Sequence, residues 1–314
     1  MSKIRIGYAC INTQLPSPNR TCRLKNATPD RILELARENL ERLEQILLWN
    51  AENNIRLFRI SSDAIPFGSH EINTLNWLEI LQPEFKRLSE IIHRRHMRVS
   101  MHPGQYTVLN SLREDVIRKS VAELDYHARF LDALGVDESA KIILHIGGAY
   151  GDKPGSLQRF ARNFSLLSES ARNRLIIEND EKSYTLADVL PLSREISAPV
   201  VFDVFHHSWN PSFTDHSVRK LIEMAMETWR EKDGRPKIHY SNQWPGKPPG
   251  AHSFEVDPGA FLDFHHTIHD LELDVMLETK NKEQSVLNLF DKIPELSRQE
   301  TRNANRASST RSTG

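Results

Sequence analysis

With 314 residues, 26% of them charged and 39% hydrophobic, the chain has apolar material for one large α/β core or two small ones; its two cysteines, Cys10 and Cys22, are too few for a disulfide framework. A formal net charge of -1 excludes the broad basic footprint of a non-specific nucleic-acid coat. No apolar run approaches membrane-spanning length.

Lys3 to Ala9 is predicted as the first strand, which leaves no room for a secretory leader, so a cytoplasmic location is expected. A polar loop follows in which Arg20, Arg23 and Lys25 form a basic strip, suited to phosphate but also ordinary solvated surface. Thr28-Pro29 reads as an N-cap with proline at the first helical position. Ile32, Ala36, Leu40, Leu43 and Leu47 then recur at helical spacing. Ile55 to Ile60 is the second strand, followed by a loop through Pro66, Gly68 and His70 and a helix from about Leu78 to Arg95. Met97 to His102 is the third strand and Glu114 to Leu134 the next helix. Lys141 to Ile146, Leu175 to Glu178, Pro199 to Val204, Lys237 to Tyr240 and Asp274 to Glu278 complete eight strands, each with a helix behind it.

This alternation predicts a single (β/α)8 TIM barrel, residues 1–296, with its active site at the C-terminal ends of the strands. Residues 297–314 are polar and aperiodic and are expected to be a disordered tail. Six predicted strands end on a side chain that binds metals: His102, His145, Glu178, Asp203, His239 and Glu278. Buried ionisable groups each cost several kcal/mol without partners, and a shared polynuclear metal centre supplies those partners. Its mixed nitrogen and oxygen donors suit zinc, manganese or iron better than magnesium or calcium.

Of the fourteen histidines, seven (His93, His96, His127, His216, His265, His266 and His269) fall in predicted helices and are expected to be solvated or capping. His206 and His207 lie just past a strand end, and His70 and His252 lie in loops. Lys237 shares the inward face of its strand with His239. On the residues alone, two outcomes stand for it: a depressed pKa and a reactive amine, or an ammonium that reaches a carboxylate or a substrate phosphate. His102-Pro103-Gly104-Gln105-Tyr106 is a rigid turn that presents an amide and an aromatic ring, as a wedge into a nucleic-acid stack or as rim packing.

In this order, Arg59 to Asp63 with Ile65 to His70, the His102–Tyr106 turn, His145 to Gly148, Glu178-Asn179-Asp180, Asp203 to His207, Lys237 to Ser241, Gly250-Ala251-His252 and Leu277 to Lys280 resemble the UV damage endonuclease family, from Gly7-Tyr8 to Lys282-Glu283. The resemblance implies a barrel related to endonuclease IV. It implies three divalent metal ions, manganese in the first place with zinc or cobalt as alternatives, and double-stranded DNA carrying UV lesions as the partner. It implies incision immediately 5′ to cyclobutane pyrimidine dimers and 6-4 photoproducts, with a 3′ hydroxyl and a 5′ phosphate as the expected products; activity at abasic sites as an addition stays open. His102, His145 and Glu178 would hold one metal; Glu178, Asp203, His239 and Glu278 a second, Glu178 bridging; His206 and His252 would help hold the third. Lys237 would be carboxylated. Tyr8, Asn12, His70, Gln105 and Tyr106 match positions that handle the lesion or probe the duplex. A bacterial-type monomer, working at the nucleoid with no membrane and no obligate protein partner, is expected. A sugar isomerase or epimerase on the same barrel, an abasic-site endonuclease and a non-catalytic damage binder remain the rival readings.

Overall fold

The computed structural model describes residues 2–298. Eight strands, β1 (Ile4–Cys10), β2 (Leu57–Ile60), β3 (Arg98–Met101), β4 (Lys141–His145), β5 (Leu175–Glu178), β6 (Val200–Asp203), β7 (Lys237–Tyr240) and β8 (Leu273–Leu277), pair in chain order into a closed parallel barrel. The ring shuts where β8 returns to β1, with Arg5 opposite Asp274 and Tyr8 opposite Leu277. Around it run α1 (Pro29–Glu52), α2 (Trp77–Ile80), α3 (Gln82–Arg94), α4 (Glu114–Ala133), α5 (Lys153–Phe164), α6 (Glu169–Arg174), α7 (Leu186–Ile196), α8 (Val204–Trp209), α9 (Val218–Met226), α10 (Pro258–Ile268) and α11 (Glu283–Lys292). The predicted (β/α)8 barrel is therefore the fold. Of the expected tail, all but Ser297 and Arg298 lies outside the described residues.

Local chemistry accounts for the elements. Thr28 accepts a hydrogen bond from the Arg31 amide at 3.3 Å, and proline opens α1, whose Ile32, Ala36, Leu40, Leu43 and Leu47 are all buried. Each of the isoleucine and leucine side chains contributes about 1.5–3 kcal/mol against its exposed state. The single helix expected over Leu78–Arg95 is instead two, α2 and α3. Leu81 leaves helical geometry (φ -102°, ψ 13°) two residues before Pro83, which has no amide hydrogen to continue the ladder.

Strand alternation sorts the barrel's two faces. Ile4, Ile6, Tyr8, Phe58, Val99, Ile142, Ile177, Phe202, Ile238 and Val275 join the large core under the helices. The alternate residues form separate small clusters inside, Ala9–Leu57–Met276 and Ile143–Ile176–Val201. One inward position per strand makes this middle layer: Gly7, Leu57, Ser100, Ile143, Ile176, Val201, Lys237 and Met276. Gly7 is required there, because a Cβ on it would lie 2.0 Å from the Leu57 carbonyl oxygen. Two residues further along each strand comes the upper layer: Ala9, Arg59, His102, His145, Glu178, Asp203, His239 and Glu278. Two residues earlier lie Arg5, Arg98, Lys141 and Asp274.

Candidate metal centre

The upper layer converges on Glu178. Its Oε1 accepts a hydrogen bond from His239 Nδ1 at 2.6 Å, and its Oε2 lies 3.4 Å from both His102 Nε2 and His145 Nε2. Two three-residue groups have donor atoms within 4.8 Å of one another: His102, His145 and Glu178, and Glu178, Asp203 and His239. Glu178 belongs to both. Asp203 is held from behind by Asn179, whose Oδ1 accepts from the Asp203 amide at 2.9 Å and whose Nδ2 donates to its carbonyl at 3.0 Å.

The remaining expected ligands stand close by without completing a third such group among the described residues. His206 Nδ1 is 3.5 Å from Asp203 Oδ2 and 3.9 Å from Glu178 Oε1. The His252 ring centre is 5.6 Å from that of His206, and its Nε2 is 3.9 Å from Glu278 Oε2. Glu278 stands beside the second group. Arg59 on β2 forms an ion pair with its Oε1, which lies 3.3 Å from His239 Nδ1.

Burial and mutual charge set the protonation of the gathering. Burial pushes the Glu178 carboxyl up, but His239, His145 and His102 more than offset it and hold the group well below the ordinary carboxylate range. Burial likewise acts on Glu278, where Arg59 and His239 prevail and leave it ionised. Asp203 is pushed up to about 6, by burial first, with His206 opposing and the Glu178 and Glu278 charges adding to the rise. His206 rises to about 9 because Asp203, Glu178 and Glu278 outweigh its desolvation. His145 and His252 are lowered, chiefly by burial. Glu178 Oε2, Asp203 Oδ2, His239 Nε2, His145 Nδ1 and His252 Nδ1 are buried with no hydrogen-bond partner. Unsatisfied carboxylate oxygens on Glu178 and Asp203, within two clusters of converging imidazole and carboxylate donors, are what divalent cations satisfy, so the donor set fits metal ions.

Lys237 lies one inward position below His239, almost wholly buried, and its Nζ has no hydrogen-bond partner. Burial lowers its pKa well below the usual lysine value, and Arg98 and Arg59 add to the effect. Among the described residues that Nζ reaches no carboxylate.

The expected lesion contacts divide. Gln105 and Tyr106 stand exposed on the turn after β3, closed by the Thr107 amide bonding the Gly104 carbonyl at 3.0 Å, and Tyr106 is 83% exposed. Tyr106, with His70 and His102, borders a cleft of about 850 Å³ that also takes in Ser62, Asp63 and Glu123, and Gln105 lines a neighbouring one with His102 and His145. Tyr8 and Asn12 line neither cleft. Tyr8 lies on the helix-facing side of β1, its hydroxyl donates to Asn50 Oδ1 at 2.7 Å, and buried Asn12 donates to that hydroxyl at 3.1 Å. Both support the first loop from behind. Arg20 in the basic strip is paired with Glu38 of α1.

Other residues of the site had no role assigned from sequence. Arg59 and Asn179 are two; Glu181, whose Oε2 is 3.9 Å from His206 Nε2, is a third. A fourth is His127, which is fully buried rather than solvated. Its Nε2 bonds Ser62 Oγ at 2.8 Å, its Nδ1 bonds the Glu123 carbonyl at 2.7 Å, and Ser62 Oγ donates to the carbonyl of His102 at 2.8 Å. A chain of three hydrogen bonds thus runs from α4 to the backbone of a candidate ligand.

Comparison with known proteins agrees with this geometry. The family model for UV-endonuclease UvdE matches residues 4–307. The chain belongs to the UV-endonuclease UvdE family. It is 42% identical over 299 residues to the UV DNA damage endonuclease of Clostridium perfringens, covering 94% of this chain and 72% of that one. It is 34% identical to the UV-damage endonuclease of Schizosaccharomyces pombe, covering 91% of this chain and 50% of the other. The crystal structure of SacUVDE superposes with a TM-score of 0.88 at 38% identity, covering 94% of this chain and all of that one. Endonuclease IV from Thermus thermophilus, at 14% identity and a TM-score of 0.58, shares the fold. The enzyme is a nuclease, and its barrel mouth carries groups suited to metal. No helix among the described residues is long and apolar enough to cross a membrane.

Proposed function

We propose that this nuclease hydrolyses one DNA phosphodiester immediately 5′ to a cyclobutane pyrimidine dimer or a 6-4 photoproduct, leaving a 3′ hydroxyl and a 5′ phosphate, with abasic sites as a secondary substrate. The observation that carries the reading is the shared position of Glu178 in two ligand groups at the mouth of an otherwise packed barrel. Three divalent cations, manganese first and zinc or cobalt as alternatives, are assigned to it. His102, His145 and Glu178 take one; Glu178, Asp203, His239 and Glu278 the second; His206 and His252 help with the third. When bound, such ions offset phosphate charge and lower the pKa of water at the reaction centre.

The chain's own residues prepare that centre. Glu178 stays ionised at neutral pH and is oriented by the His239 hydrogen bond. Asn179 fixes the β6 tip and with it Asp203. Arg59 keeps Glu278 ionised and turned inward. The lowered pKa of Lys237 leaves a neutral amine, the form that adds to carbon dioxide to give a carbamate and a released proton. That carbamate would replace an isolated amine with an anion among Arg98, Arg59 and Arg5, which supports a carboxylated Lys237. With the ligands in place the mouth carries roughly +3, from three divalent ions against Glu178, Asp203 and Glu278, which attracts phosphate despite the chain's near-zero net charge.

A photodimer stacks and pairs poorly, so kinking the duplex and extruding the lesion costs less there than in intact DNA. Gln105 and Tyr106 would fill the gap, with the lesion beside His70 in the cleft. The reading takes the enzyme as a monomer acting on the nucleoid in the cytoplasm. Its test is irradiated and unirradiated supercoiled plasmid incubated with protein and Mn²⁺, with and without chelator. Nicking confined to irradiated, unchelated plasmid, with ligatable 3′ hydroxyl and 5′ phosphate ends, is expected. Nicking indifferent to irradiation or to chelator overturns it.

A further inference from the structure

The loop from Ser241 to Asp257, between β7 and α10, is a built hairpin rather than a slack connection. Gln243 and His252 form an antiparallel bridge, and the Trp244 amide bonds the Ala251 carbonyl at 2.8 Å. The Gln243 amide group pins the tip from within. Its Nε2 donates to the carbonyls of Trp244 (3.0 Å), Lys247 (3.2 Å) and Pro248 (3.0 Å), and its Oε1 accepts from the Gly250 amide at 3.0 Å. Gly246 and Gly250 take the positive φ angles that the turn needs.

What this frame displays is aromatic and cationic. Phe254 is 55% exposed, its ring centre 6.3 Å from that of the partly exposed Trp244, and the Lys247 ammonium sits 5.4 Å over the Trp244 ring. Exposed Lys280 joins the same surface through its amide bond to the Ser253 carbonyl, at 3.1 Å. Residues 241–254 hold no Asp or Glu. Leaving an exposed Phe254 ring beside a partly exposed Trp244 on a hydrogen-bonded frame is costly unless something covers them. Stacking rings beside unpaired cations match the faces of nucleobases and the phosphates between them.

Position decides what the hairpin grips. In a closed eight-strand ring β3 and β7 are four strands apart, on opposite sides. Tyr106 and Gln105 rise after β3, Trp244 and Phe254 after β7, and Glu178 lies between. His252 at the hairpin's root reaches Glu278 at the centre. Resting on the proposed function, we propose that the β7–α10 hairpin is a lesion-independent DNA grip. In it Trp244 and Phe254 stack on the strand across the mouth from the Gln105–Tyr106 turn, while Lys247 and Lys280 neutralise its phosphates.

The test is equilibrium binding of metal-chelated protein to labelled duplexes with and without a single photoproduct. The double substitution Trp244→Ala/Phe254→Ala should weaken binding to both duplexes by a similar factor, about ten-fold or more, the scale of losing base stacking. Lys247→Ala should lower the slope of log affinity against log salt by about 0.9. Unchanged affinity for both duplexes, or a loss confined to the damaged one, overturns the proposal. Melting temperature and metal uptake of the double variant should match wild type. If that variant is unstable, Gln243→Ala and Lys247→Ala, which keep both rings, decide: a loss on both duplexes supports the grip and no loss on either overturns it. Wild-type protein that nicks irradiated plasmid while these variants bind normally sinks the hairpin alone. Wild-type protein that nicks neither plasmid sinks the proposed function.

Discussion

The two ends of the barrel interior treat buried charge in opposite ways. At the lower end Asp274 accepts from Arg5 Nε and Nη2 at 2.6 and 2.8 Å and from Arg98 Nη1 at 2.7 Å, and Lys141 pairs with Asp233 at 2.6 Å. Arg98 is further bonded to the carbonyls of Ser139, Asp233 and Arg235. At the upper end carboxylate oxygens and imidazole nitrogens face one another with partners missing. Both layers gather charge, yet among the described residues only the lower pairs it within the protein. Satisfied charge at one end locks the scaffold, whereas unsatisfied charge at the other is affinity held for something outside the chain.

Substitutions that exchange the fates of the two ends break the comparison most directly. Glu178→Gln keeps shape but removes the shared anion. Nicking of irradiated plasmid should fall by roughly 10²–10³-fold or more, the scale of removing one electrostatic group at a reaction centre, with loss of bound metal and no drop in the urea midpoint of metal-free protein. A full complement of metal in this variant would refute the bridging role.

Asp274→Asn should do the reverse. Taking the anion from between Arg5 and Arg98 should cost about 3–5 kcal/mol of stability while the folded fraction still nicks at near wild-type rate. The same group sets the acid limit. Burial pushes the Asp274 carboxyl up, but Arg5 and Arg98 hold it well below the ordinary range, so its contribution is whole above the unfolded value of about 4 and is lost as pH falls below that. Midpoints measured from pH 6 down to 3 should fall less steeply in Asp274→Asn than in wild type. Lys141 shows that pairing does not cancel burial: despite its ion pair it is lowered to about 8, desolvation first.

The smallest effect sharpens the boundary between scaffold and centre. His127→Ala or Ser62→Ala breaks the hydrogen-bond chain behind His102 and should lower metal affinity about 10–100-fold, as loss of a group supporting a ligand does. A purely structural role would instead lower the melting temperature and leave the metal titration of the folded protein unchanged.

How much of this was legible in the sequence follows from what alternation can and cannot encode. The strand-tip candidate ligands were readable because a strand places every second residue inward, and His102, His145, Glu178, Asp203 and His239 all obey that count. The same count places Tyr8 outward with Ile4 and Ile6, so its burial was also written there, behind its match to a lesion-handling position. His127 shares a helix face with Leu124 and Leu131, the spacing of a buried stripe, although a histidine suggests solvent. The ion pair of Arg59 with Glu278 was not readable. It joins β2 to the end of β8, a proximity that ring closure creates and no local pattern encodes. The split between α2 and α3 lay between, since Pro83 marks a break but not whether the helix bends or stops.

The closure of β8 on β1 sets an order of events. Arg5 and Asp274 are 269 residues apart, so the first strand leaves the ribosome long before its final neighbour exists. Until Leu273–Leu277 emerge, the sheet keeps two open edges, and Glu278 arrives directly behind the strand that seals them. Ring closure and the arrival of Glu278, the partner of Arg59 across the mouth, fall within one residue of each other along the chain, so a nascent chain that ends before β8 lacks both.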